Sequence, residues 1–215
     1  MKMGAAATIA AGLAGCSSAG DSTGSDYPQD KRIRKVALVI SGPAQDGGWA
    51  QSHYDAIKAA CNELGGWQFL EPQENTTAAA SADLAQSYAD QGVDLIVAAG
   101  TQFASAWGDV VAKVAKQRPD CKFLFTNADP KRDLSGYTTL DNVEVVEVDY
   151  GQIGSLAGVV AGLMTQTNSI GFVGGDSLSS TEAKYEAYVA AAQKVNPQVK
   201  GHADFSAGFA EASEG

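Results

Sequence analysis

The stretch VDLIVAA at residues 93–99 decides the fold most clearly. Apart from Asp94 it is an apolar run without alternation, which is typical of a strand covered on both faces in a parallel sheet. Beyond the glycine that follows, Ala106, Val110 and Val114 recur every four positions, which predicts a helix over residues 104–116. A strand followed by a helix of about a dozen residues begins a βαβ unit.

The same arrangement repeats on both sides of this stretch. Further strands are predicted at residues 35–41, 67–70, 122–126 and 143–148, and further helices from Trp49 to a stop at Gly65-Gly66 and over residues 78–91. Strands that alternate with helices form parallel sheets through right-handed crossovers. The sequence therefore predicts a first α/β lobe, a doubly wound parallel sheet, over residues 33–148.

A second α/β lobe is predicted over residues 149–215. Its helices are expected at residues 152–164 and 181–194, its strands at 169–173 and 199–205, and a new helix begins near Gly208. Two or three strands are fewer than a stable sheet usually has. We therefore expect two doubly wound lobes, resembling type I periplasmic binding proteins, with the second lobe truncated.

The N-terminus has the pattern of a lipoprotein signal. A short apolar run follows Lys2 and ends in Leu13-Ala14-Gly15-Cys16, which predicts a signal peptide over residues 1–16 and a lipid on Cys16. Residues 17–32 have almost nothing to bury and are predicted to be a flexible tether. The alternative is an alanine-rich helix with a buried cysteine. The favoured interpretation places the protein on the extracytoplasmic face of the cell membrane, held by a lipid anchor.

Composition and motifs exclude several functions. The formal net charge of −10 argues against binding to nucleic acid. The sequence contains no Gly-x-Ser-x-Gly elbow, and His53 and His202 stand apart from other metal ligands. We therefore predict no enzyme activity, no metal and no cofactor. Cys61 and Cys121 form either a disulfide, which the exported compartment permits, or two small buried hydrophobes.

Loops after the predicted strands are the candidate binding site, because ligands of open α/β sheets bind outside the carboxyl ends of the strands. The first loop, GPAQDGGW at residues 42–49, offers Asp46 as a hydrogen-bond acceptor and Trp49 as a flat face. The alternative is that Asp46 caps a helix and Trp49 packs on the core. Both interpretations can hold at once.

Two further loops carry candidate ligand-binding residues. Phe103 and Trp107 follow the strand at 93–99 and are expected to stack on a planar ring, with Asp109 just beyond them. The alternative for either aromatic residue is core packing. Gly175 lies in a Gly-Gly-Asp sequence after the strand at 169–173, which is also an ordinary turn.

These features resemble the basic membrane protein family of ABC-transporter binding lipoproteins, which includes purine nucleoside receptors. The resemblance runs through nearly the whole chain after residue 33. It rests on the lipobox and on GPAQDGGWAQSHYDAI (42–57), DLIVAAGTQF (94–103), VAKQRPDCKFLFT (114–126), DYGQIGSLAGVVAGLMT (149–165), IGFVGG (170–175) and FSAGFAEASEG (205–215).

The resemblance implies a ligand-binding cleft between two lobes and assigns roles within it. Trp49 stands where nucleoside receptors place an aromatic ring against the purine, and Asp46 belongs to the acidic loop before it. Asp109 matches an acidic position, and Phe103 or Trp107 would be the opposing aromatic ring. Ser41 stands where nucleoside receptors carry an aspartate. This difference leaves open whether the ligand is a nucleoside or a base.

The expected function is a solute-binding protein that closes on a purine nucleoside or related planar solute and docks on ABC permease subunits. A sugar or flavin-like ligand is the alternative within this class. A surface sensor without a transport role and an enzyme on a doubly wound fold are the alternatives outside it.

Overall fold

The structure is a computed structural model that describes residues 32–129, 131–134 and 140–208. With one exception, the predicted strands and helices are confirmed along this part of the chain, within a few residues at their ends. In chain order the elements are β1 (Arg34–Ile40), α1 (Trp49–Leu64), β2 (Trp67–Phe69), α2 (Ala78–Asp90), β3 (Leu95–Ala99), α3 (Thr101–Ala106), α4 (Gly108–Gln117), β4 (Lys122–Thr126), β5 (Val143–Val146), α5 (Tyr150–Met164), β6 (Ser169–Val173), α6 (Ser179–Val195) and β7 (Lys200–Asp204).

One predicted helix differs from the structure. The helix expected at residues 104–116 begins earlier, at Thr101, and is divided at Trp107 into α3 and α4. Trp107 has φ −95° and ψ −2°, away from ideal helical values, which ends α3 and lets α4 start at Gly108. The helix expected near Gly208 falls mostly outside the described residues, as do the signal peptide, Cys16 and nearly all of the tether.

Five parallel strands form the first sheet in the order β2-β1-β3-β4-β5. The order reverses between β1 and β3, since the chain first moves outward to β2 and then returns to the other side of β1. Such a reversal is the switch point at which open α/β sheets leave a crevice at their carboxyl edge. Ile40, Ala99 and Thr126 lie side by side in register at that edge.

Both faces of this sheet are covered by helices. Val36, Leu38 and Ile40 of β1 pack with α1, whereas Ala37 and Val39 point to the opposite face, into a cluster with α2, α3 and α4. These five side chains are at most 2% exposed. Double coverage explains why β1, β3 and β4 have continuous apolar sequences.

Cys61 and Cys121 lie on opposite faces of the five-stranded sheet. Cys61 packs from α1 against one cluster, and Cys121 belongs to the other. Both thiols are free. The sheet between them keeps them from pairing, which favours two unpaired cysteines, Cys121 buried and Cys61 half-buried, over a disulfide.

The second sheet consists of β6 and β7, which pair in parallel, with α5 and α6 beside them. Helices α5 and α6 pack through three glycines spaced four residues apart, Gly154, Gly158 and Gly162. Their missing side chains let the backbones approach closely. The other side of α5 is apolar and exposed, as Leu156 (74%) and Leu163 (68%) illustrate.

None of the helices in the described part of the chain combines the length and the apolar character that a membrane span requires.

Candidate functional site

Trp49 is the exposed aromatic residue at the carboxyl edge of the first sheet. It is the first residue of α1, and 41% of its surface is exposed. Its Nε1 lies 3.5 Å from the carbonyl oxygen of Ala99, the last residue of β3, and its ring centroid lies 4.2 Å from that of His53. The indole is thus held over the strand ends and keeps part of its surface open.

Asp46 holds the start of α1. Its carboxylate accepts hydrogen bonds from the backbone N–H groups of Gly48 (2.7 Å), Ala50 (3.0 Å) and Gln51 (3.1 Å). These bonds, that of Gly48 first, lower the pKa of Asp46 because they stabilise the charged form. Asp46 thus satisfies N–H groups in the first turn of α1, as a cap would, from two residues before the N-cap position, which is Gly48. Contact of Asp46 with a ligand stays a prediction.

Phe103 and Trp107 lie in the core. Both rings are 0% exposed, and Trp107 packs edge-on against Phe125 while its Nε1 donates to Ser81 Oγ at 2.8 Å. Neither ring presents a face to a ligand in this structure, so the expected opposing aromatic ring at the cleft is not found at either position. The sequence carried a signal for this, because positions 103, 107, 111 and 114 follow helical spacing and form one apolar stripe.

Asp109 and Gly175 lie in segments that follow β3 and β6. Asp109 is exposed in the first turn of α4, beyond the break at Trp107 that separates α4 from α3. A carboxylate in the first turn interacts favourably with the helix dipole, and contact of Asp109 with a ligand stays a prediction. Gly175 lies in the loop between β6 and α6, next to the α6 terminus described below.

His53 and Thr126 were missed by sequence reasoning and lie beside Trp49. The Nε2 of His53 is 2.9 Å from the hydroxyl oxygen of Thr126 at the end of β4, and its Nδ1 is 2.8 Å from the carbonyl oxygen of Trp49. A spacing of four residues puts Trp49 and His53 on one face of α1. That spacing was visible in the sequence, whereas the contact with Thr126, 73 residues away, was not.

The N-terminus of α6 lies opposite the same edge. Thr101 Oγ1 donates to the backbone oxygen of Asn127 and lies 3.2 Å from Ser180 Oγ. Ser179 Oγ donates to Asp133 Oδ2 at 2.6 Å. These contacts bring the loop after β4 and the start of α6 to the carboxyl edge of the first sheet, the edge at which Trp49 and His53 also lie.

An ion pair joins the same two segments. Arg132 lies 2.6 Å from Glu182 in the first turn of α6. Hydrogen bonds from Ser177 and Arg132 lower the pKa of Glu182. Surface pairs of this kind contribute about 0–1 kcal/mol, so the contact adds little to the stability of the fold.

Acidic side chains surround the exits of β4 and β5. Burial and the neighbouring carboxylates of Asp129, Asp133 and Asp149 raise the pKa of Glu147. The described residues contain no group of three or more side chains arranged to hold a metal ion. Negative charge is therefore concentrated beside the ends of β4 and β5, with Arg132 paired to Glu182 next to it.

Comparison with solved structures identifies the fold, and a family model identifies the family. A solute-binding protein of an ABC transporter system from Conexibacter woesei superposes with a TM-score of 0.53 at 24% identity, covering 84% of this chain and 57% of that one. The protein thus has a periplasmic-binding-protein-like α/β fold. The family model described as "ABC transporter substrate-binding protein PnrA-like" matches residues 33–215. The chain belongs to this family.

Two curated relatives carry names that mention a ligand. A purine-binding protein of Brucella abortus is 27% identical over 170 residues, covering 77% of this chain and 44% of the relative. A putative ABC transporter glucose-binding protein of Haloferax volcanii is 27% identical over 183 residues, covering 83% and 42%. The chain therefore spans less than half the length of these two relatives.

Proposed function

We propose that this protein is the extracytoplasmic solute-binding component of an ABC importer and that it binds a purine base, a purine nucleoside or a related planar solute. The ligand would lie in the crevice between the carboxyl edge of the first sheet and the N-terminus of α6. Family membership and the purine-binding relative support this proposal. Capture would proceed by closure of the lobe at residues 149–215 on that at 33–148.

The observation that carries the proposal is the position of Trp49. An indole that is 41% exposed at the start of α1, over the end of β3, is available to a flat ring. Aromatic pairs contribute about 0.5–1.5 kcal/mol beyond the area they bury. A planar solute would gain this energy without a charged partner.

The charge around the crevice favours a neutral ligand. Glu147 with its neighbouring aspartates would repel the phosphate of a nucleotide. A base or nucleoside carries no such charge. Backbone and hydroxyl groups at the strand ends would supply its hydrogen bonds.

A sugar is the second candidate, supported by the relative named as a glucose-binding protein. Sugar rings also pack on exposed aromatic faces, so Trp49 alone does not separate the two ligands. A sugar would need several hydrogen-bonding groups around the ring, whereas a purine needs a flat surface and a few polar contacts at its edge.

Membrane attachment through Cys16 is part of the proposal. The Leu-Ala-Gly-Cys box and the polar residues after it support a lipid anchor with a tether. The anchor would hold the protein beside the ABC permease subunits that receive its ligand. No catalytic step is proposed.

The test is isothermal titration calorimetry on the full-length protein, purified from its host and freed of lipid. Adenosine, inosine, adenine, glucose and riboflavin are the probes. The proposal expects micromolar or tighter binding of a purine and a weaker response to glucose. Glucose binding without purine binding would replace the first candidate by the second, and failure of all five would overturn the proposed ligand class.

A further inference from the structure

His53 contacts two groups that together determine where its proton lies. A carbonyl oxygen only accepts hydrogen bonds, so the 2.8 Å contact with the Trp49 oxygen requires an N–H on Nδ1. A neutral imidazole carries one N–H, and Nε2 is then an acceptor. With His53 neutral, the hydroxyl of Thr126, 2.9 Å from Nε2, therefore donates its only proton to His53.

In this arrangement the Thr126 oxygen can only accept further hydrogen bonds. A threonine hydroxyl has one donor and two acceptor positions. With the proton engaged by His53, any further partner of Thr126 Oγ1 must supply a hydrogen. Thr126 is half-buried at the end of β4, so rotating the hydroxyl away would leave Nε2 without its donor.

The Thr126 hydroxyl lies beside the proposed stacking surface. Thr126 pairs in register with Ala99, and neighbouring strands lie about 4.8 Å apart. The Trp49 indole reaches the carbonyl oxygen of Ala99, and the His53 ring contacts both the indole and Thr126. A ring stacked on the part of the indole nearest Ala99, on the side that His53 leaves open, would bring one edge toward Thr126.

We infer that His53 fixes the Thr126 hydroxyl as a hydrogen-bond acceptor, so that the site selects planar solutes with an N–H donor on the ring edge. The inference rests on the proposed function and narrows its ligand class. His53 is a positioning residue, because it acts through Thr126. Thr126 itself would contact the ligand.

Three nucleosides that differ on one ring edge test the inference. Adenosine carries an exocyclic amine, inosine carries a ring N–H, and purine riboside carries neither. A hydrogen bond of ordinary strength predicts that adenosine, inosine or both bind about 3–10-fold more tightly than purine riboside. Equal affinity of all three overturns the inference while the proposed function stands. Absence of binding by all three nucleosides overturns the inference, and the proposed function falls with it only if adenine also fails to bind.

Variants of Thr126 locate the acceptor. Thr126→Val removes the hydroxyl at constant shape. It should bring the affinities for adenosine and inosine close to the affinity for purine riboside. Thr126→Ser keeps a hydroxyl and should retain the selectivity. A purely structural hydroxyl would lower the affinity for all three nucleosides alike and leave the ratio of their affinities unchanged. That result would overturn the inference.

A variant of His53 tests its positioning role. His53→Phe keeps a ring beside Trp49 but frees the Thr126 hydroxyl to donate or accept, so selectivity for the N–H donor should fall severalfold. His202→Gln, on exposed β7, is the control and should leave the ratio unchanged. Retained selectivity in His53→Phe, or an equal loss in the control, overturns the role of His53. Thermal melts confirm that each variant is folded.

Discussion

The backbone of Gly158 in α5 lies directly against the carbonyl oxygen of Tyr188 in α6, where any Cβ would overlap that oxygen. Gly158→Ala should therefore force the two helices apart. We expect a loss of about 1–3 kcal/mol in the free energy of unfolding, the usual cost of overpacking. Urea unfolding followed by circular dichroism measures this loss.

Gly171→Ala is the matched control for that substitution. Gly171 lies in β6, and a Cβ there meets nothing within 4 Å. The free energy of unfolding should change by no more than about 0.5 kcal/mol. Equal stability of Gly158→Ala and the unsubstituted protein would contradict the close packing of α5 on α6.

Most of the fold was predictable because burial on both faces leaves a simple sequence pattern. The strands β1, β3 and β4 are short apolar runs, and the helices between them show the expected spacing and glycine stops. The break at Trp107 was not predicted, because helical periodicity continues through it from Phe103 to Val111.

The site was less predictable because its geometry depends on long-range contacts. Trp49 follows a strand and is exposed, whereas Phe103 also follows a strand and is buried. Sequence position after a strand does not separate these two outcomes, since the orientation of each helix on the sheet decides them. The contact between His53 and Thr126 joins residues from two βαβ units and has no local signal.

The two described cysteines should differ in reactivity. Burial raises the pKa of Cys121 to about 11 and also raises that of Cys61, which is half-buried. Because the thiolate is the reactive form, roughly one Cys121 in a thousand would be ionised at pH 8. In a Cys16→Ser variant, iodoacetamide at pH 8 should label Cys61 before Cys121, as peptide mass spectrometry would show.

Labelling of Cys121 should become fast only when the protein is unfolded in guanidinium. Mass spectrometry without reductant should find two free thiols. An intramolecular disulfide between Cys61 and Cys121 would contradict their placement on opposite faces of the sheet.

Asp46→Ala should destabilise the start of α1, because three backbone N–H groups lose their acceptor. The pKa of Asp46 is lowered in the folded state from its ordinary value of 3.8. Its contribution to stability is therefore fully present above pH 3.8 and is lost as the pH falls through the lower folded-state pKa. The difference in melting temperature between the two proteins should be constant near neutral pH and narrow below pH 3.8.

Asp46→Asn is the companion variant, since its side-chain oxygen still accepts a hydrogen bond but carries no charge. Its melting temperature should lie between those of the unsubstituted protein and Asp46→Ala at pH 7. If the difference in melting temperature between Asp46→Ala and the unsubstituted protein grows as the pH falls, the hydrogen bonds of the Asp46 carboxylate are not its origin.

Cys16→Ser should release the protein from membranes. The lipobox predicts that the lipid is attached at this thiol, and no other anchor is proposed. Fractionation of a bacterial host should find the unsubstituted protein with membranes and the variant in the soluble extracytoplasmic fraction. Cys61→Ser is the control and should stay with the membranes. Equal membrane partitioning of Cys16→Ser would refute the anchor.

Trp49→Ala should weaken binding of the purine that the protein binds best, because the ligand loses its stacking surface. The loss of about 0.5–1.5 kcal/mol in stacking corresponds to roughly 2–13-fold in affinity, and lost burial adds to it. Trp49→Phe should keep most of the affinity, since a flat ring remains. Calorimetric titration measures both, and thermal melts accompany them because the exposed indole contributes less to stability than a buried one.

Trp107→Phe provides the contrast, since its ring is fully buried and pairs with Phe123 and Phe125. This variant should lower the melting temperature, through the lost bond to Ser81 and the smaller ring, while ligand affinity stays within about twofold. Comparing the ligand affinity and the melting temperature of the Trp49 and Trp107 variants thus distinguishes a stacking residue from a packing residue. Unchanged affinity in Trp49→Ala together with a large loss of thermal stability would show that Trp49 is a packing residue, and the proposed stacking surface would have to lie elsewhere in the crevice.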